Sequence, residues 1–421
     1  MIDLTTYWAP LIHIYQPPTQ DLKVLKIIDK ECYKPLFCLL EEYDTAKFSL
    51  NINGVLIELL YEFNLSETMD LLKNLVSEGK IEIVGTAKFH PILPLIPKKE
   101  TQHQIRMNEE LNRKEFNNWE RKGFFPPELA ISGGIAKFIR QLGYKWVIMS
   151  GIACPVDWPY DKIYTSPNGL QLFFRDEILS NKIAFKNITA KDFVKEIKTL
   201  HKNKEKSNLT YIITALDGET FGHHNKNYEK NFLGKTLELV DQENDLKTIF
   251  ISDLDQHFPM AKKNIIPLES SWSTTYKDLQ AKVPYPLWNH PDNNVHKYYW
   301  KLMRSLNNLM DLLDSIDLIK DWELNNYYNT ARYYYDRGIY SCPTWWANPL
   351  NKTWSPNLIY KGIEILMRAA LNAQLALIHD NKSDLGEAYF DSVIYYHGLL
   401  LMELNNITKN NLKKFNSNKI T

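Results

Sequence analysis

Cysteine is scarce in this 421-residue chain: Cys32, Cys38, Cys154 and Cys342 are the full set, with no CxxC pairing and no histidine at zinc-finger spacing. Neither a disulfide framework nor a structural metal site is expected, and the four read as buried, reduced thiols. Excess charge of either sign is absent too. Fifty basic residues balance fifty acidic ones, leaving no global field to hold nucleic acid or an anionic membrane. Nor does any run approach the roughly 18 apolar residues of a membrane span. The N-terminal "YWAPLIHIY" is short, is interrupted by Pro10 and His13, and lacks a basic leader and a small-residue cleavage site, so it reads as a strand in a cytoplasmic protein.

Short apolar runs and longer amphipathic stretches alternate through about residue 270. "APLIHIY", "IEIVGTA", "KWVIMS", "LQLFF", "TYIITAL" and "TIFISDL" read as buried strands, with helical patterns such as Glu67 to Glu78 and Lys191 to Lys202 between some of them. That alternation predicts an α/β fold with a parallel sheet, most simply a barrel. Polar residues just after each strand would then gather at one mouth, where chemistry is expected. From about residue 295 long Leu-, Met- and Tyr-rich helical runs take over, such as "NLIYKGIEILMRAALNAQLALIHD", and these predict a C-terminal α-helical bundle. The expected division is a catalytic barrel over 1–285, a helical region over 286–408 that completes the active-site cleft, and a polar, disordered tail over 409–421.

Several candidate residues stand just after the predicted strands. His13 and Gln16 come after the first in "HIYQPP", His90 lies in "TAKFHPILPLIP", Glu128 ends "GFFPPE", and Asp217, Glu219 and His223 stand in "DGETFGHH". Each has an ordinary explanation when taken alone: a histidine beside an apolar run is often a hydrogen-bonded structural residue, and Asp217 before a glycine suits a turn. Together they resemble what glycosidic cleavage needs. One carboxylate attacks the anomeric carbon while a second acid protonates the leaving oxygen, so the two must differ in proton affinity. Aromatics make up 13% of the chain. Those in irregular segments, Trp272, Trp288, Trp345 and Trp346, are the candidate platforms for sugar rings.

At these residues the chain resembles glycoside hydrolase family 57, which includes α-amylases, amylopullulanases, 4-α-glucanotransferases, glycogen branching enzymes and an α-galactosidase group. "HIYQP" is similar to the family's His-x-His-Gln-Pro, with Tyr15 at the second histidine. "GFFPPE" is similar to Gly-x-Trp-x-Pro-Glu, with Phe125 at the tryptophan, and "DGETFGH" matches Asp-x-Glu-x-Phe-Gly-His. "GKIEIVGTAKFHPILPLIP" resembles the second conserved region and "SSWSTT" through "PYPLWNHPDNNVHKYYW" the fifth, so the likeness runs from residue 8 to about 360. It implies a (β/α)7 barrel followed by a C-terminal helical bundle, with Glu128 as nucleophile and Asp217 as general acid/base. Glu219 would have a supporting role, orienting a histidine or a sugar hydroxyl. His13, His90 and His223 would donate hydrogen bonds at the glucose-binding floor. Retention implies carboxyls roughly 5 to 5.5 Å apart.

The expected activity is retaining hydrolysis of α-1,4-linked glucans, with glucanotransfer or branching through the same intermediate as the alternative. The partner is an α-glucan or oligosaccharide, with no nucleic acid, no membrane, no cofactor and no metal. A zinc-dependent enzyme on a related barrel is disfavoured, because "HIY" lacks the acid of a His-x-Asp pair and adjacent His223 and His224 cannot readily meet one ion. A non-catalytic carbohydrate-binding protein is the alternative of another class, against which the two intact acids count.

Overall fold

The computed structural model describes residues 5–199, 209–316, 321–349 and 353–417. The chain forms two compact units, one of residues 1–88 and 93–276, the other of 89–92 and 277–421.

In the first unit the predicted apolar runs become strands: β1 (Thr5–Ile14), β2 (Phe48–Ile52), β3 (Ile81–Ile83), β4 (Gly123–Phe124), β5 (Trp146–Met149), β6 (Tyr164–Thr165), β7 (Gln171–Phe174), β8 (Leu209–Asp217) and β9 (Leu246–Thr248). Helices cover the intervening amphipathic stretches. β1 pairs in parallel with β8 along its whole length; its other side is shared by β9 near the start and β2 near the end. Pro10, which cannot donate to a ladder, falls between those two partners. One sheet runs β3-β2-β1-β8 and a second runs β4-β5-β7-β6, with β6 antiparallel. Single backbone contacts join their edges: a parallel bridge links Gly85 to Phe124, and Asp176 N–H donates to the Ile213 carbonyl at 2.8 Å. Seven strands are thereby linked in the order β1-β2-β3-β4-β5-β7-β8, as a (β/α)7 arrangement requires.

Period two in the strands decides what faces inward. Tyr7, Ala9 and Leu11 of β1, Leu209, Tyr211, Ile213 and Ala215 of β8, Trp146 and Ile148 of β5, and Phe173 of β7 belong to or pack against one apolar core. Two residues further along the same columns come His13, Asp217, Ser150 and Arg175. The interior thus turns from apolar to polar at the C-terminal strand ends.

The second unit holds four long helices, Asn294–Leu313, Trp322–Gly338, Pro356–His379 and Ser383–Ser417, packed on one another. Asn293 and Asp321 cap the first two, each accepting from two backbone N–H groups. The unit boundary falls at 276/277 rather than 285/286; backbone bonds from Trp288 N–H and Asn289 N–H to the Tyr285 carbonyl tie the end of 277–285 to the chain beyond it. The segment 409–417, expected in a tail, instead continues the last helix; extending a formed helix costs far less than starting one. Residues 418–421 lie outside the described residues. No helix among the described residues is long and apolar enough to cross a membrane.

Candidate active site

The register of the parallel sheet builds the centre of the site. His13 pairs with Asn51 on one side and with Asp217 on the other, so the three share one face at the strand ends. Burial pushes the His13 imidazole down to about 4, so the ring is neutral. Its Nδ1 lies 2.5 Å from Asn51 Oδ1, a contact that fixes the orientation of the ring. The ring stacks on Phe125 at 4.7 Å and 11°, and the neighbouring ring of Tyr15 lies 6.3 Å away at 18°. The two departures from the family pattern therefore both stand beside His13.

Glu128 reaches the centre by an unusual turn. Gly123 opens the motif because a Cβ there would lie 2.0 Å from the Trp146 ring. After Pro126 and Pro127, Glu128 has φ 60° and Leu129 φ 49°, left-handed conformations that cost a residue with a side chain about 1–2 kcal/mol each. Five of the nine non-glycine residues with positive φ among the described residues are asparagine, the side chain that tolerates this best. Such strain persists only where surrounding contacts hold it. Trp272 fixes it twice: its indole N–H donates to Glu128 Oε2 at 2.7 Å and its backbone N–H to the Glu128 carbonyl at 3.1 Å.

Both acids keep part of their surface open, yet each is deep enough to favour its neutral form. Burial and the nearby Asp217 charge push Glu128 up to about 8, against the pull of the Trp272 hydrogen bond. Burial pushes Asp217 up to about 6, with Arg175 pulling the other way. The Asp217 charge acts on Glu128 electrostatically, which places the two acids in one neighbourhood.

The rest of the "DGETFGH" motif is explained residue by residue. Gly218 lies where a Cβ would meet Ile14 at 2.5 Å. The strand ends at Asp217 and a 3-10 turn, Gly218–Thr220, begins, so Glu219 leaves the Asp217 column. Among the described residues its side chain meets no histidine side chain. Instead its Oε1 accepts from Tyr33 Oη at 2.5 Å and Gln16 Nε2 at 2.9 Å, and burial beside Asp217 raises it to about 7. Phe221 stacks with Tyr228 and Phe232, and Gly222 adopts φ 109°. His223 Nδ1 lies 2.7 Å from Glu31 Oε2, which ties this histidine to the helical segment carrying Glu31.

The first unit therefore gathers His13, Gln16, Glu128, Asp217, Glu219 and Trp272. Four other candidates belong to the second unit. His90 is buried at φ 59°, with Nδ1 2.9 Å from Ser341 Oγ and its carbonyl accepting from Ser341 N–H. Trp288 is 0% exposed. This corrects its assignment as a platform, since stacking on a sugar needs an open ring face. Its carbonyl accepts from Trp300 Nε1 at 2.8 Å. Trp345 and Trp346 are half-buried and meet edge to face at 4.7 Å. Sequence reasoning missed Asn51, Tyr33 and Arg175; for Arg175 the available signal was its place two residues beyond Phe173 in a strand column. Among the described residues no group of three or more His, Cys, Asp or Glu side chains is placed to hold a metal ion.

Residues 8–269 match the sequence profile of glycosyl hydrolase family 57. The chain belongs to that family. Among its relatives, an α-amylase of Pyrococcus horikoshii is 24% identical over 96% of this chain and 59% of its own length. A 4-α-glucanotransferase of Thermococcus kodakarensis is 27% identical over 64% of this chain and 42% of its own length. The chain thus spans roughly half the length of these relatives. Among solved structures, a family 57 branching enzyme of Pyrococcus horikoshii aligns with a TM-score of 0.73 at 14% identity, covering 94% of this chain and 96% of the other. The 4-α-glucanotransferase of Thermococcus litoralis aligns with a TM-score of 0.67 at 19% identity, covering 87% and 60%. These likenesses establish the fold.

Proposed function

We propose that this family 57 chain is a retaining α-glucan-active enzyme that hydrolyses α-1,4 linkages through a glycosyl-enzyme on Glu128, with Asp217 as general acid/base. The observation that carries the reading is the electrostatic coupling of a strained, indole-held Glu128 to Asp217 at the polar end of the barrel interior. Glu128 attacks the anomeric carbon as Asp217 delivers its proton to the glycosidic oxygen, and the carbon–oxygen bond breaks. Asp217, now a carboxylate, takes a proton from the incoming hydroxyl, whose oxygen displaces Glu128.

Burial comes first in both shifts, so each acid holds a proton more strongly than a free carboxyl does. Positive charge developing at the anomeric carbon favours ionised Glu128. His13 hydrogen-bonds the bound sugar, and Glu219, held by Tyr33 and Gln16, keeps the floor in place.

Glucanotransfer or branching is the second reading, because the same intermediate reacts with water or with a sugar hydroxyl. It is favoured by relatives and structural neighbours named for those activities. Incubation with maltooligosaccharides and amylose separates the outcomes: shorter sugars alone for hydrolysis, longer sugars for transfer, new branch points for branching. A folded protein that leaves every α-glucan unchanged refutes the proposal and favours a binding protein.

A further inference from the structure

Arg175 is 4% exposed, and its guanidinium is held on several sides. Nε donates to the Ala215 carbonyl at 2.6 Å, Nη2 donates to Asn181 Oδ1 at 2.8 Å, and Nη1 pairs with Glu177. Glu177 is itself anchored by Ser150 Oγ and by Gly151 N–H at 2.9 Å. Across from these anchors the guanidinium carbon lies 5.8 Å from the centre of the Trp272 ring, and that indole holds Glu128. The Ala215 anchor precedes Asp217 by one strand period on the same face. A continuous set of contacts therefore runs from Glu177 through Arg175 to the support of one acid and to the strand that carries the other.

We propose that Arg175 is a positioning residue for both acids, seating the Trp272 indole against Glu128 and keeping a permanent positive charge beside the strand end that bears Asp217. Burying a guanidinium costs several kcal/mol unless it is well paired, and a neutral side chain would hold the strand end without that cost. What the charge adds is a bias on the neighbouring acids. The charged groups facing this region are Asp176, whose Oδ1 caps the Glu177–Lys186 helix, Glu177, Glu128, Asp217 and Glu219; His13 is neutral. Among them Arg175 opposes the burial of Asp217, so it limits how strongly that acid holds its proton.

The inference rests on the reading of Glu128 and Asp217 as the reacting pair. Its test is the pH dependence of kcat/KM on a maltooligosaccharide for the full chain, for Arg175→Lys, and for the double variant Arg175→Gln/Glu177→Gln, which leaves no unpaired carboxylate. Loss of the cation should move the acid limb of the double variant to higher pH by about one unit or more, with kcat falling more than KM rises. Arg175→Lys, which keeps the charge but loses the planar fork, should lose kcat while its limbs stay at the parent pH values. A folded double variant with the parent profile overturns the inference, and so do displaced limbs in Arg175→Lys, which carries the test alone if the double variant does not fold. Failure of the underlying reading has a separate signature: Asp217→Asn would then retain parental activity.

Discussion

Replacing Trp272 with phenylalanine removes the indole N–H and the outer ring but keeps an aromatic ring on the side of Phe125 and His13, whose centroids lie 6.1 and 5.8 Å from the Trp272 ring. The lost contact is the 2.7 Å indole bond to Glu128 Oε2. A hydrogen bond to a charged group is worth about 1.5–3 kcal/mol, and it favours the ionised carboxylate that must attack. We expect kcat/KM to drop roughly 10- to 150-fold and the basic limb of the profile, set by Glu128, to move up by about one to two pH units. Steady-state rates on a maltooligosaccharide between pH 4 and 10 read both quantities. An unchanged kcat/KM, or a basic limb that moves down, refutes the reasoning.

Asp217→Asn should lower kcat by about 10²–10⁴ on a glucan and far less on a glycoside whose leaving group needs no proton; equal losses on both would remove Asp217 as the acid. For Glu128→Gln the stability difference depends on pH. A carboxyl raised from 4.5 to about 8 helps the folded state below its unfolded pKa and loses that benefit as pH rises toward 8. The melting temperature of the variant should therefore gain on the parent from pH 5 to pH 8, and calorimetry showing a constant difference would contradict the burial argument. Gly222→Ala puts a Cβ 1.9 Å from the Glu31 carbonyl oxygen at φ 109°, whereas Gly169→Ala at φ 79° meets nothing within 4 Å. The first should lower the melting temperature by several degrees, the second by a few at most.

Much of the fold was legible because each buried strand is a short apolar run bounded by a turn, and the acids were legible because they sit in compact motifs just after such runs. What stayed hidden depended on register and distance. Asn51 lies in "FSLNI", which reads as an ordinary strand until pairing sets it beside His13. Tyr33 stands in an amphipathic helical stretch, and its partner Glu219 is 186 positions away. Residues 89–92 group with the helical unit, and the hydrogen bonds between His90 and Ser341 leave no periodic trace in the sequence. Trp288 shows the opposite error. Pro-rich, irregular sequence around an aromatic suggests exposure, but local turns through Tyr285 fold it inward.

Covalent trapping tests the central claim most directly. A fluorinated α-glucosyl fluoride slows release of the glycosyl-enzyme, and digestion followed by mass spectrometry locates the sugar. The account predicts one sugar ester, on the peptide containing Glu128, in an enzyme that returns products of retained configuration. A label on another residue, or products of inverted configuration with no label, would contradict it.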